Sequence, residues 1–318
     1  MIDILSIILG IILGLIASFC FSMGFVCQKK GLMQGLPELE FQNGLKNLLY
    51  SFLEFFKNKI WITGFLLGFL GWIPYLIAVS LVGIIVVQPL TSLGLLIFLV
   101  SSVKLLGEKI KKMEIFTAIL LGIAPLLITF SAISRIHFNL YEFLIPFLIF
   151  FGVSMGLALF FFFSSKLKEG TPLEGIFLTL TGVIINAFGT IFTNIFTQAY
   201  SDANISILSF FGWAEILFGI FWFDIYHIWL CISLYGMGIF FLLGLIFYQS
   251  GFQRAKASTV YLIINSLSIV IPLIAGVYVF NQSFEYPLLF LIAMGIILFG
   301  VINLSKYQAR IEEYYPDS

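Results

Sequence analysis

Charged side chains are scarce in this sequence. Asp, Glu, Lys and Arg make up 10% of its 318 residues, 16 acidic against 16 basic, where soluble globular domains carry about 25%. Water is therefore not the main solvent of the chain. The formal net charge is +0, and nucleic acid is not expected as a partner. Cysteine is scarce too: Cys20, Cys27 and Cys231 fall in or beside apolar runs without metal-type spacing. That speaks against a disulfide framework or a zinc site and leaves them as small apolar residues. The two histidines, His137 and His227, belong to no His/Glu or Cys/His cluster. A membrane-embedded lipid enzyme needs paired acids, a histidine cluster or a nucleophile beside a base. The nearest approach, Glu215 and Asp224 close to His227, sits among Trp and Phe residues and reads better as an interfacial belt. The chain is expected to be neither an enzyme nor a cofactor carrier, and no set of metal ligands is assigned.

Apolar residues are abundant instead, at 61% with a mean hydropathy of +1.10. Runs such as 4–26 and 230–248 reach the roughly 20 residues that a helix needs to cross a hydrocarbon core of about 30 Å. The first run is expected to be retained rather than cleaved as a secretory signal. Asp3 replaces the basic leading region, the apolar stretch is too long, and no small-x-small site follows. Breaks at charge and turn clusters place spans near 4–27, 60–80, 84–106, 113–132, 142–163, 175–198, 228–250, 258–280 and 286–304. The expected fold is an all-α polytopic membrane protein of about nine spans. Two connections are more than loops: 41–56 mixes apolar residues with Lys46 and Glu54, and 207–223 is aromatic-rich around Glu215. Both read as interfacial or re-entrant helices. If the first crossed the bilayer there would be about ten spans, which is the alternative.

All the Lys and Arg residues except Arg135 fall in or beside 28–59, 107–112, 164–174, 251–257 and the C-terminal tail. Cytoplasmic loops retain basic residues, so the N-terminus is expected outside and the C-terminus in the cytoplasm. The chain also repeats itself. A helix, a long amphipathic connection and three close helices occur first within 1–132 and again within 175–305. Segment 133–174 supplies one joining span, and 306–318 is a tail. Trp61 and Trp229 open the second helix of each half 168 residues apart (229 minus 61), and Pro89 and Tyr261 in the next helix are 172 apart (261 minus 89). A single joining helix makes the two halves enter the membrane from opposite sides, the arrangement behind alternating access in transporters.

Candidate pathway residues are the polar side chains inside spans. Thr179, Asn186, Thr190, Thr193, Asn194 and Thr197 share one face of the sixth span at roughly 100° per residue. Amides without partners in lipid are costly, so this face is expected to line a cavity or to meet another polar helix. Interhelix hydrogen bonding is the plainer reading. The eighth span carries Ser258, Tyr261, Asn265, Ser268 and Pro272, and the third carries Gln88, Thr91, Ser92 and Ser102. Pro89, Pro125 and Pro272 each remove a backbone hydrogen bond inside a span, giving either a packing kink or a free carbonyl for a solute. Small-residue stripes at Gly10, Gly14, Ser18 and Ser22, at Gly64 and Gly68, and at Gly152 and Gly156 permit close helix approach. Lys104 and Glu108, four apart at a span end, read as an interfacial pair.

Lys29-Lys30-Gly31-Leu32 closing the first span, then Pro89, then Gly107-Glu108 closing the third, resemble the drug/metabolite transporter (EamA-like) superfamily. Within it, the NIPA magnesium transporter branch is the nearest likeness. The resemblance spans all nine predicted helices in order. It implies a carrier of inverted repeats with magnesium uptake as the family activity. The second half departs from the pattern, with Tyr261 where the family has proline and Asn281-Gln282 in place of an acidic helix end. Magnesium usually takes one or two carboxylates, and no Asp or Glu here falls in mid-span. The expected function is a secondary transporter of a small solute or cation; the alternative is a non-transporting scaffold or accessory subunit. The expected partners are the lipid bilayer and that small solute.

Overall fold

Inside a bilayer every backbone N–H and C=O must find its partner within the protein, which leaves helices or closed barrels as spanning structures. The computed structural model describes residues 4–41, 44–82, 87, 90–91, 93–131, 138–203, 205 and 209–314, and the elements there are helices. They are α1 (Ile4–Leu32), the short α2 (Gly44–Glu54), α3 (Lys59–Leu70) and α4 (Trp72–Val82) on either side of Gly71, α5 (Gly94–Leu106) and α6 (Lys112–Phe130). Then follow α7 (Leu144–Leu167), α8 (Pro172–Ala203), the short α9 (Phe210–Phe218), α10 (Ile225–Arg254), α11 (Ala257–Tyr278) and α12 (Pro287–Tyr314).

Among the described residues, six stretches are long and apolar enough to cross a membrane: Ile8–Leu32, Lys59–Ala78, Leu144–Leu167, Pro172–Ala203, Ile225–Arg254 and Ala257–Tyr278. Gly94–Leu106, Phe211–Trp222 and Pro287–Gly300 are shorter apolar helices. The architecture is that of an all-α membrane protein. At 1.5 Å per residue, α8 is about 48 Å long and overshoots a core of about 30 Å, whereas α2 reaches only about 16 Å. On α2, Leu48 and Phe52 are buried while Tyr50 and Leu53 are exposed, as expected of an amphipathic connection.

Local chemistry sets several boundaries. Asn58 caps α3, its side chain accepting from the backbone N–H groups of Ile60 (3.0 Å) and Trp61 (2.9 Å). Ser209 and Asp224 cap α9 and α10 in the same way. Gly107, in the left-handed region at φ 71°, stops α5.

The two halves pack alike. α1 lies against α3, α4 and α5, and α8 lies against α10 and α11; the last helices of the halves, α6 and α12, pack on each other. Glycines permit the close approaches. A Cβ on Gly24 would stand 2.9 Å from the Gly64 carbonyl oxygen, and one on Gly182 would stand 2.7 Å from Phe247 Cβ. The stripe at Gly14, Ser18 and Ser22 meets the start of the third predicted span: Ser18 Oγ donates to the Thr91 carbonyl (3.2 Å) and Ser22 Oγ to that of Gly94 (2.8 Å). The stripe at Gly152 and Gly156 does not join helices, because a Cβ at either would meet no described atom within 4 Å.

Charged residues from several connections meet at one end of the molecule. Lys29 reaches the last turn of α10, Lys256 ion-pairs with Glu114 (2.8 Å), and Arg254 with Glu174 (2.6 Å). At the opposite end Phe138, Phe143 and Phe280 form an aromatic cluster, with Phe138 and Phe280 ring centroids 4.4 Å apart.

Candidate functional site: a cavity between the two halves

A half-open cavity of about 570 Å³ lies between the halves. From the first half, α1 contributes Phe21, Phe25 and Gln28, and α3 and α4 contribute Phe65, Phe69, Trp72 and Tyr75. From the second half come Asn186 on α8, Tyr248 on α10, and Tyr261, Asn265 and Ser268 on α11. Packing explains these positions. Gly244 of α10 lets α8 come so close that a Cβ there would stand 2.6 Å from Asn186 Cβ. Tyr261 is held by its ring, stacked on Phe98 at 3.9 Å and 10°, and by its hydroxyl, 3.2 Å from Ser22 Oγ.

Among the described residues no charged side chain lines this cavity. Its polar groups are amides and hydroxyls, and several lack partners. The Tyr248 hydroxyl is buried and makes no hydrogen bond to a described residue. The side-chain amides of Asn186 and Asn265 are half-buried and bond to no described residue. The floor is satisfied: Trp61 Nε1 donates to Gln249 Oε1 (2.9 Å), and Gln249 Nε2 donates to Gln28 Oε1 (2.5 Å). All three side chains are buried.

Beneath that floor, charged residues of the first half hold the α10–α11 turn of the second. Lys29 Nζ donates to the carbonyls of Phe252 and Ala255 at the C-terminal end of α10. Glu108 accepts from the backbone N–H groups of Ala257 (2.5 Å) and Ser258 (3.1 Å) at the start of α11. Each charge sits at the helix end whose dipole it complements. The expected Lys104–Glu108 pair is not formed. Lys104 is exposed; because α5 ends at Gly107, Glu108 leaves the helical register and turns to α11.

The structure thus unites four expected site residues: Asn186, Tyr261, Asn265 and Ser268. Thr190 and Asn194 are half-buried on α8 and do not line the cavity. The rest of that polar stripe is largely satisfied within its own helix, Thr179 donating to the Gly175 carbonyl, Thr193 to Gly189 and Thr197 to Thr193. Thr91 is engaged by Ser18 through its carbonyl. Pro125 is buried within α6 and Pro272 half-buried within α11, and neither lines the cavity. Gln88, Pro89, Ser92, Arg135 and His137 lie outside the described residues. Sequence reasoning missed Gln28, Gln249, Trp61 and Tyr248. Gln249 was findable, as an amide inside an otherwise apolar run.

Among the described residues no group of three or more His, Cys, Asp or Glu is placed to hold a metal ion. At the far end His227 Nδ1 is 2.8 Å from Asp224 Oδ2, and its Nε2 is 3.9 Å from Glu215. The hydrogen bond from His227 holds the Asp224 carboxyl below the usual carboxylate range. No protein-family model matches the chain, and no curated protein or solved structure does.

Proposed function

We propose that this protein is a secondary transporter that gives a small solute alternating access to the cavity between its halves. The carrying observation is that cavity: residues of both halves line it, among them Asn186 and Asn265, whose side-chain amides bond to no described residue, and Tyr248, whose buried hydroxyl has no partner among the described residues. On this reading the six long helices, the stretch ending in α5, and α6 and α12 make about nine spans. α2 and α9 lie along the membrane surface, and the halves form inverted repeats. The similar packing of α1 and α8 with their neighbours supports the repeat. The end rich in Lys and Arg is cytoplasmic, with the N-terminus outside. A cavity without carboxylates suits an uncharged organic solute better than magnesium, which usually takes one or two.

Reconstitution into proteoliposomes with a broad solute panel tests the reading. At least one solute should accumulate saturably, and Asn186→Leu and Asn265→Leu should each lower its flux about tenfold or more, the value of one lost hydrogen bond, with membrane insertion unchanged. No flux for any solute, or normal flux in both variants, would remove the proposal.

A further inference from the structure

Resting on that reading, the geometry points to the class of solute: we propose that the cavity binds an uncharged planar heteroaromatic molecule with hydrogen-bond donors and acceptors along one edge. Rings supply the first half of the argument. Phe21, Phe65, Trp72, Tyr75, Phe241 and Tyr248 present faces and edges to the same space, from both halves of the molecule. Flat π-systems bind by stacking or edge contact with such rings. The volume of about 570 Å³ falls inside the roughly 300–1,000 Å³ usual for small-molecule sites.

The polar groups supply the second half. The amides of Asn186 and Asn265 each offer both a donor and an acceptor. Tyr248 lines the cavity and its buried hydroxyl has no partner among the described residues, a state that costs free energy and that a small side-chain rotation towards a bound ligand would relieve. Carboxamides matched to adjacent donor and acceptor atoms are how proteins read the edges of nucleic acid bases. An anionic solute finds no Lys or Arg among the lining residues, and a cation finds no carboxylate. A simple hydrocarbon would leave the three polar groups unfilled. Planarity, neutrality and a polar edge are thus required by different parts of the lining.

The test uses the full-length protein purified in detergent and equilibrium dialysis with adenine, uracil and nicotinamide as probes. Adenosine monophosphate, tetraphenylphosphonium, naphthalene and magnesium ion serve as comparisons. At least one neutral heterocycle should bind saturably and more tightly than every comparison. Tyr248→Phe, which keeps the ring and removes only the hydroxyl, should weaken that binding about tenfold, and Asn265→Ser should also weaken it. Leu167→Ala, at an 84% exposed position, should leave it unchanged. Failure of all three heterocycles to bind, tighter binding of a comparison, or full affinity in both site variants overturns the inference. Proteoliposome flux separates the two proposals. Binding without flux would remove the transporter and keep the site, whereas flux of magnesium or another solute without heterocycle binding would remove only the inference.

Discussion

Asp224 illustrates how one carboxylate can serve two groups of a single neighbour. Its Oδ2 accepts from His227 Nδ1 at 2.8 Å while the carboxylate also caps α10 through the His227 backbone N–H. The His227 ring is stacked near Trp222, with Glu215 3.9 Å from its Nε2. Because the folded protein holds the Asp224 carboxyl below its ordinary value, the cap contributes in full above the unfolded carboxyl's pKa of about 3.9. It is lost as pH falls through the lower folded value. Hydrogen-exchange protection factors in the first turn of α10 should therefore hold near neutral pH and decline in strong acid. Asp224→Asn should flatten that acid decline. An equal decline in the variant would show that Asp224 is not its source.

At the scale of elements, the seam between α8 and α10 is built on glycines seven residues apart, Gly175, Gly182 and Gly189 facing Gly251, Gly244 and the ring of Phe241. Seven residues are nearly two helical turns, so such a stripe stays on one face and lets the backbones approach. Gly251 is tightly enclosed, its hypothetical Cβ lying against Thr179 Oγ1 and 3.0 Å from the Gly175 carbonyl oxygen. Gly251→Leu should therefore overpack the seam and destabilise the protein by about 1–3 kcal/mol, seen as a lower melting temperature in detergent. Gly152→Leu on α7, where the added group meets nothing within 4 Å, should change stability by less than about 0.5 kcal/mol. Equal effects from the two substitutions would mean that helix propensity, not close packing, sets the response.

For the whole molecule, the contacts between the halves at the charged end decide what an opening there would have to break. Lys29 and Glu108, both from the first half, grip the two helix ends of the α10–α11 turn in the second half. Any opening at this end must release them together with the Trp61–Gln249–Gln28 floor. Glu108→Ala removes a cap worth about 0.5–2 kcal/mol. It should also raise the rate at which a cysteine placed at the buried Ser250 is labelled by a membrane-impermeant maleimide from the charged side. Unchanged labelling would show that the clamp does not control access.

The chain alone determined that it partitions into lipid as helices, because its residues are 61% apolar and come in continuous runs of about 20, the length of a spanning helix, and without the alternation of a barrel strand. Asn186, Tyr261, Asn265 and Ser268 were legible as polar interruptions in apolar helices. Their common cavity follows from the packing of α8, α10 and α11, which local periodicity does not encode. The polar stripe misled at Thr190 and Asn194 because helical phase places a residue on a face without saying how far along that face the partner helix runs. Gln28, Trp61 and Gln249 became a floor, and Glu108 a cap on a helix some 150 residues away, only through tertiary structure. Hydrogen bonds of that span depend on where two helices end in space, and pairwise placement of this kind leaves no mark on the composition or spacing of either helix.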